Sequence, residues 1–208
     1  MTDLRQEHIE EEKETKMSKS SRFVLQIAGA GIFSALSILL SVFVTPYLPQ
    51  TPEGFAYFDP ISIIWVTCYL IFGPLAGILC CGIGSLGMMP FDDFAPIGPL
   101  MKLAATLSLI LIPILLLEFT KRKENIRKSQ ILKKPINYIT YGLLGTGFRI
   151  IVMVILNIVV YLMFWGPSGL EIWIVIVIVL NALTSLWDLL FPYLIVFVTK
   201  IDTKFEIW

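Results

Sequence analysis

Among the polar residues inside long apolar stretches of this chain, five are the first candidates for chemistry: Lys102, Arg149, Asn157, Asn181 and Asp188. A charged side chain in an apolar span is expensive, so each marks either a structural pairing or a ligand contact. Counting about 1.5 Å per residue from the inner ends of their helices, Arg149 and Asp188 fall at roughly 18 and 16 Å, the same depth on consecutive antiparallel spans. That match predicts a buried ion pair, because each charge needs neutralising in low dielectric. Lys102 has no acidic residue at an obviously matching depth. It is expected either to snorkel to the headgroups or to bind a carboxylate, phosphate or carbonyl of a solute. Asn157 and Asn181 lie at a similar outer depth and offer both donor and acceptor, so the three predict the floor of an outward-facing pocket.

At the edge of the outer loops stand Tyr57, Phe58 and Asp59, among other acidic and aromatic residues such as Glu53, Asp92, Trp165 and Trp173. Most of this set reads as an interfacial aromatic belt. Tyr57, Phe58 and Asp59 are the members best placed to cap a flat organic ligand, for which aromatic walls add stacking to burial.

Other chemistries are excluded. The only histidine is His8, in a polar leader, and Cys68, Cys80 and Cys81 all lie in apolar segments, so neither a metal site nor a disulfide framework is expected. Gly82-Ile-Gly84-Ser-Leu-Gly87 fits a dinucleotide pattern but has no strand before it and sits in an apolar helix. No G-x-x-x-x-G-K-[ST], G-x-S-x-G or H-E-x-x-H occurs. The chain reads as a binder or conduit, not an enzyme, with no cofactor and no nucleic-acid partner.

The elements that hold these residues follow from composition. Of 208 residues 56% are hydrophobic and 15% charged, and mean hydropathy is +0.80. That is too little charge to cover a soluble globule, where about 25% is usual. Apolar runs lie at 22–45, 59–90, 97–119, 137–164 and 171–199. The second is too long for one helix and is interrupted by Gly73-Pro74, so it predicts two short helices turning at Phe72-Gly73-Pro74. Stretches 46–58, 88–97 and 165–171 contain no Lys or Arg, whereas 121–134 holds seven. Basic residues stay cytoplasmic, and only six crossings put every basic cluster inside. The expectation is an all-α integral membrane protein: a disordered charged leader over 1–20, a bundle of six transmembrane helices over 21–200 with both termini cytoplasmic, and a short tail over 201–208. Met17 is a plausible alternative start.

Small residues recur in the first span, where Ala28, Gly31 and Ala35 share one stripe, and in Gly73, Gly77, Gly82, Gly84 and Gly87. They allow close helix approach in lipid, and the first stripe is also a candidate docking surface.

The order Phe58-Asp59-Pro60, Phe72-Gly73-Pro74-Leu75-Ala76-Gly77, Pro99-Leu-Met-Lys102, Leu180-Asn181-Ala182 and Asp188 to Phe191-Pro192-Tyr193 resembles the substrate-binding S components of energy-coupling-factor (ECF) vitamin transporters, over about residues 22–200. The riboflavin-type members look most similar. The resemblance implies a multi-pass protein of the cell membrane that binds a vitamin near its outer face. A separate transmembrane T component and two ATPase subunits would supply the drive. It also implies docking through small residues in the first span, where family members often carry Ala-x-x-x-Ala. This chain offers Gly31-x-x-x-Ala35 and Ala30-x-x-x-Ser34 instead. Two rival readings are a small membrane enzyme gripping a lipid or prenyl phosphate through Arg149, Asp188 and Lys102, and a purely structural subunit.

Overall fold

A computed structural model describes residues 18–49, 51, 57–121, 128–205 and 208. The bulk of the leader, with His8 and Met17, lies outside them. Six principal helices follow in order: α1 (Lys19–Phe43), α2 (Pro60–Phe72), α3 (Pro74–Met88), α4 (Ile97–Lys121), α5 (Pro135–Phe164) and α6 (Leu170–Tyr193). Short helical turns cover Lys128–Lys133 and Asp202–Phe205, and there is no strand among the described residues. Helix α1 already begins at Lys19, so residues 19 and 20, expected in the leader, are helical.

Local chemistry sets the boundaries. Ser18 caps α1, its Oγ accepting the Ser21 N–H at 3.1 Å. Pro60, Pro74 and Pro135 each stand at the first turn of a helix, where a missing N–H costs nothing. Between α2 and α3, Gly73 takes φ 97° and its amide donates to Tyr69 O at 2.9 Å. Only glycine adopts that backbone without strain, and Pro74 cannot continue the ladder of α2. At the far end of α6, Pro192 is followed by a wider π turn over Leu194–Val198.

Five segments are long and apolar enough to cross a membrane: Lys19–Tyr47, Pro74–Phe91, Ile97–Phe119, Pro135–Phe164 and Leu170–Val198. The chain is a multi-pass, all-helical membrane protein. Their outward faces carry side chains such as Phe43, Leu143, Ile151 and Ile172, each at least 60% exposed, an apolar surface suited to lipid.

Helix α2, with 13 residues, is about 20 Å long against a hydrocarbon core of roughly 30 Å. It is also the core of the bundle. All its residues except Pro60 and Ile64 are buried, packed among α1, α3, α4 and α6. Trp65, Tyr69 and Leu70 meet Leu109, Ile110 and Leu132 there. Close approaches need glycine: a Cβ on Gly84 would lie 2.7 Å from Trp65 Nε1 and 2.8 Å from Ser37 Oγ, and one on Gly145 would fall on the Leu109 carbonyl oxygen of α4.

The last residues fold back onto the bundle. Phe205 packs on Phe72 with ring centroids 5.5 Å apart, and Trp208 on Tyr69 at 5.4 Å. Trp208 Nε1 also donates to Leu70 O at 3.0 Å. The Phe72 end of α2 is thus covered by chain.

Candidate functional site

Asp59 does two jobs that its position before Pro60 makes compatible. As the cap of α2 it accepts the Ile61 N–H at 3.1 Å through Oδ1, and the Ser62 hydroxyl at 2.9 Å through Oδ2. It also receives Lys102 Nζ of α4, 3.2 Å from each carboxylate oxygen. One turn further along both helices, Thr106 Oγ1 donates toward Ser62 Oγ at 3.2 Å, so α2 and α4 run side by side in the same direction. The expectation that Lys102 lacks an acidic match is therefore corrected. By sequence Asp59 belongs to the outer loop edge, but it meets Lys102, five residues into α4, so the first turn of the short α2 starts below the first residues of α4.

Arg149 of α5 is held by three residues of α6. Its Nη1 donates to Asp188 Oδ2 at 2.5 Å, Nη2 to Thr184 Oγ1 at 3.1 Å and Nε to Asn181 Oδ1 at 3.2 Å. Positions 181, 184 and 188 follow the 3–4 spacing that puts side chains on one helix face. Both partners are buried, Arg149 4% and Asp188 0% exposed. Asp188 Oδ1 has no hydrogen-bond partner among the described residues. The two pairs are neighbours, since Phe58, next to Asp59, packs on Trp187, next to Asp188. Four charges from α2, α4, α5 and α6 thus form one neighbourhood of zero net charge inside an apolar bundle.

The three residues expected to share a pocket floor are engaged separately. Lys102 faces Asp59, and Asn181 orients Arg149 while its amide bonds Val177 O at 2.9 Å. Asn157 is buried and bonds Met153 O of its own helix at 2.8 Å. Phe58 packs edge-on against Phe191 at 5.7 Å and Trp187 at 6.4 Å, pinning the start of α2 to α6, while Tyr57 is exposed.

Ala28, Gly31 and Ala35 are all on the exposed face of α1, and a Cβ on Gly31 would meet nothing within 4 Å. Ala30 and Ser34 are buried, with Ser34 Oγ 3.2 Å from Cys80 O of α3, so that second small-residue pair serves packing and is not available for docking.

Sequence reasoning passed over Ser62, Thr106 and Thr184, the hydroxyls that complete both ion pairs. Each had a readable signal, lying three or four residues from a charged or amide residue of its own helix or cap: Ser62 from Asp59, Thr106 from Lys102 and Thr184 from Asn181 and Asp188. Two cavities lie elsewhere: a void of about 20 Å3 beside Tyr69, Leu109 and Tyr138, and a cleft of about 450 Å3 near Lys134 and Asp202. Neither touches the four charges. Comparisons with protein-family models, curated proteins and solved structures return no match.

Proposed function

We propose that this chain is the substrate-binding S component of an ATP-driven importer of the energy-coupling-factor type, carrying a vitamin-like micronutrient, with riboflavin the first candidate. It resides in the cell membrane, crosses six times with both termini cytoplasmic, and works with a transmembrane T component and two ATPase subunits. The observation that supports this most is the zero-sum charge neighbourhood at the recessed start of α2. The helix is about 10 Å shorter than the hydrocarbon core, and its Phe72 end is covered by Phe205 and Trp208. At the Asp59 end Lys102, Ser62 and Thr106 supply donors and acceptors, and Tyr57 is exposed.

In this reading the solute exchanges its own polar edge for part of the Lys102–Asp59 contact. Because that pair is neutral overall, it suits an uncharged hydrogen-bonding solute better than a free anion. The Arg149–Asp188 pair is the rigid backing: each guanidinium nitrogen is already committed to α6, which disfavours the rival reading of a lipid-phosphate grip. The exposed Ala28, Gly31 and Ala35 stripe is the face offered to the T component.

The test is to purify the protein in detergent and identify any bound small molecule by absorbance and mass spectrometry. A stoichiometric flavin or other vitamin is the expected result. An empty protein that no vitamin stabilises in a thermal-shift panel would overturn it.

A further inference from the structure

Helix α2 ends on two carbonyls that take no backbone hydrogen bond among the described residues. In a continuing helix the amide of residue 74 would bond Leu70 O, but that residue is Pro74 and has no N–H. Trp208 Nε1 donates to Leu70 O instead, at 3.0 Å. Two residues on, Phe72 O accepts Gln26 Nε2 of α1 at 2.9 Å. The last turn of α2 is thus tied from two sides by side chains that replace the missing amides.

Trp208 is itself held at several points. Its indole lies against Gly73, where a Cβ would stand 3.0 Å from the indole Cγ, and on the Tyr69 ring at a centroid distance of 5.4 Å. Its carbonyl oxygen accepts the Ser129 hydroxyl at 2.6 Å. Earlier in the same segment Phe205 packs on Phe72 at 5.5 Å, and Asp202 Oδ2 accepts Lys133 Nζ at 2.8 Å. The segment follows Lys200, whose φ of 60° is left-handed backbone that a non-glycine residue adopts at a cost. Such backbone persists where its surroundings fix it.

What is fixed at one end of α2 bears on the other. From Leu70 back to Asp59 is about 16 Å of helix, and a helix shifts along its axis as one body. At the far end the Asp59 carboxylate meets Lys102 Nζ at 3.2 Å, and Ser62 Oγ accepts the Thr106 hydroxyl at 3.2 Å. An axial shift by the rise of a single residue, about 1.5 Å, would carry both contacts out of hydrogen-bonding range.

We propose that residues 202–208 are a positioning strap for the solute site assigned above. By giving Leu70 O the bond that Pro74 cannot, Trp208 sets the axial position of α2 and so the fit of Asp59 to Lys102. Trp208 is a positioning residue and does not touch the solute. Its effect on solute affinity rests on the function proposed above, whereas its effect on Lys102 does not.

The test is carbon-13 NMR of the full-length protein in detergent with its lysines reductively methylated, the Lys102 signal being identified by its loss in Lys102→Arg. Trp208→Phe keeps a ring on Tyr69 and removes the N–H. It should shift or broaden the Lys102 signal and weaken solute affinity by up to about tenfold, the worth of one hydrogen bond. Tyr138→Phe removes a bond of the same kind, from the tyrosine hydroxyl to Leu189 O at 2.8 Å, on a helix other than α2. It should lower the melting temperature about as much and leave the Lys102 signal in place. Asp202→Ala loosens the strap without altering α2 and should move the Lys102 signal in the same direction as Trp208→Phe. An unmoved Lys102 signal in Trp208→Phe and Asp202→Ala, or an equal shift in Tyr138→Phe, would overturn the proposal. Where Trp208→Phe fails to fold, Asp202→Ala decides alone. Because the NMR readout needs no solute, a protein that retains no vitamin would count against the proposed function and not against the strap.

Discussion

Lys102 and Asp59 are 43 residues apart in the chain, yet the lysine ammonium sits 3.2 Å from both carboxylate oxygens of the residue that caps α2. One aspartate therefore couples a helix start to a neighbouring helix. Substitutions can separate the two roles. Asp59→Asn keeps a capping acceptor of similar quality and removes the charge, leaving Lys102 unpaired. It should cost about 1–2 kcal/mol, more than a lost cap alone, given the partial exposure of the lysine. Lys102→Met combined with Asp59→Asn should recover part of that loss in thermal unfolding. Lys102→Ala should also weaken affinity for the bound solute with the fold intact, and unchanged affinity would remove Lys102 from the site.

The Arg149–Asp188 pair calls for a different pattern. Removing either partner strands a charge in the apolar interior, so Arg149→Leu and Asp188→Leu should each destabilise by about 3–5 kcal/mol. The double replacement should recover much of the loss, because two matched apolar groups need no neutralising. Additive losses in a double-mutant cycle would show that the two do not act together.

Two glycines in one helix give an internal control. Gly145 lies against the Leu109 carbonyl of α4, whereas a Cβ on Gly147 meets nothing within 4 Å. Gly145→Ala should force α4 and α5 apart and cost about 1–3 kcal/mol. Gly147→Ala should be neutral or slightly stabilising through helix propensity. Equal melting temperatures for the two variants would contradict the packing of α4 on α5.

On α1 the exposed stripe predicts function without stability. Gly31→Trp and Ala35→Trp should leave thermal unfolding unchanged, since neither side chain enters the bundle. Both should abolish co-purification with an ATP-driven partner. Normal co-purification would relieve this face of any docking role.

Much of the architecture was legible in the residues because lipid imposes simple rules. Apolar length bounds the spans, Gly73-Pro74 leaves no choice but a break, and Arg149 and Asp188 could be matched by counting along two helices of nearly full span. Depth counting failed for Asp59 and Lys102 for a physical reason. It assumes that every helix is long enough to span, and α2, at 13 residues, is about 10 Å shorter than a hydrocarbon core. The same assumption grouped Lys102, Asn157 and Asn181 on one floor, although side-chain direction sends them to three different partners.

Composition and periodicity by themselves determined that this is an all-helical membrane chain with charges worth explaining, because burial of apolar length is a local, additive property. Which charge meets which was decided by the tertiary structure. Ion pairs 39 and 43 residues apart depend on helix offsets of a few ångströms, and those offsets come from close contacts such as Gly84 on Trp65 and Phe58 on Phe191.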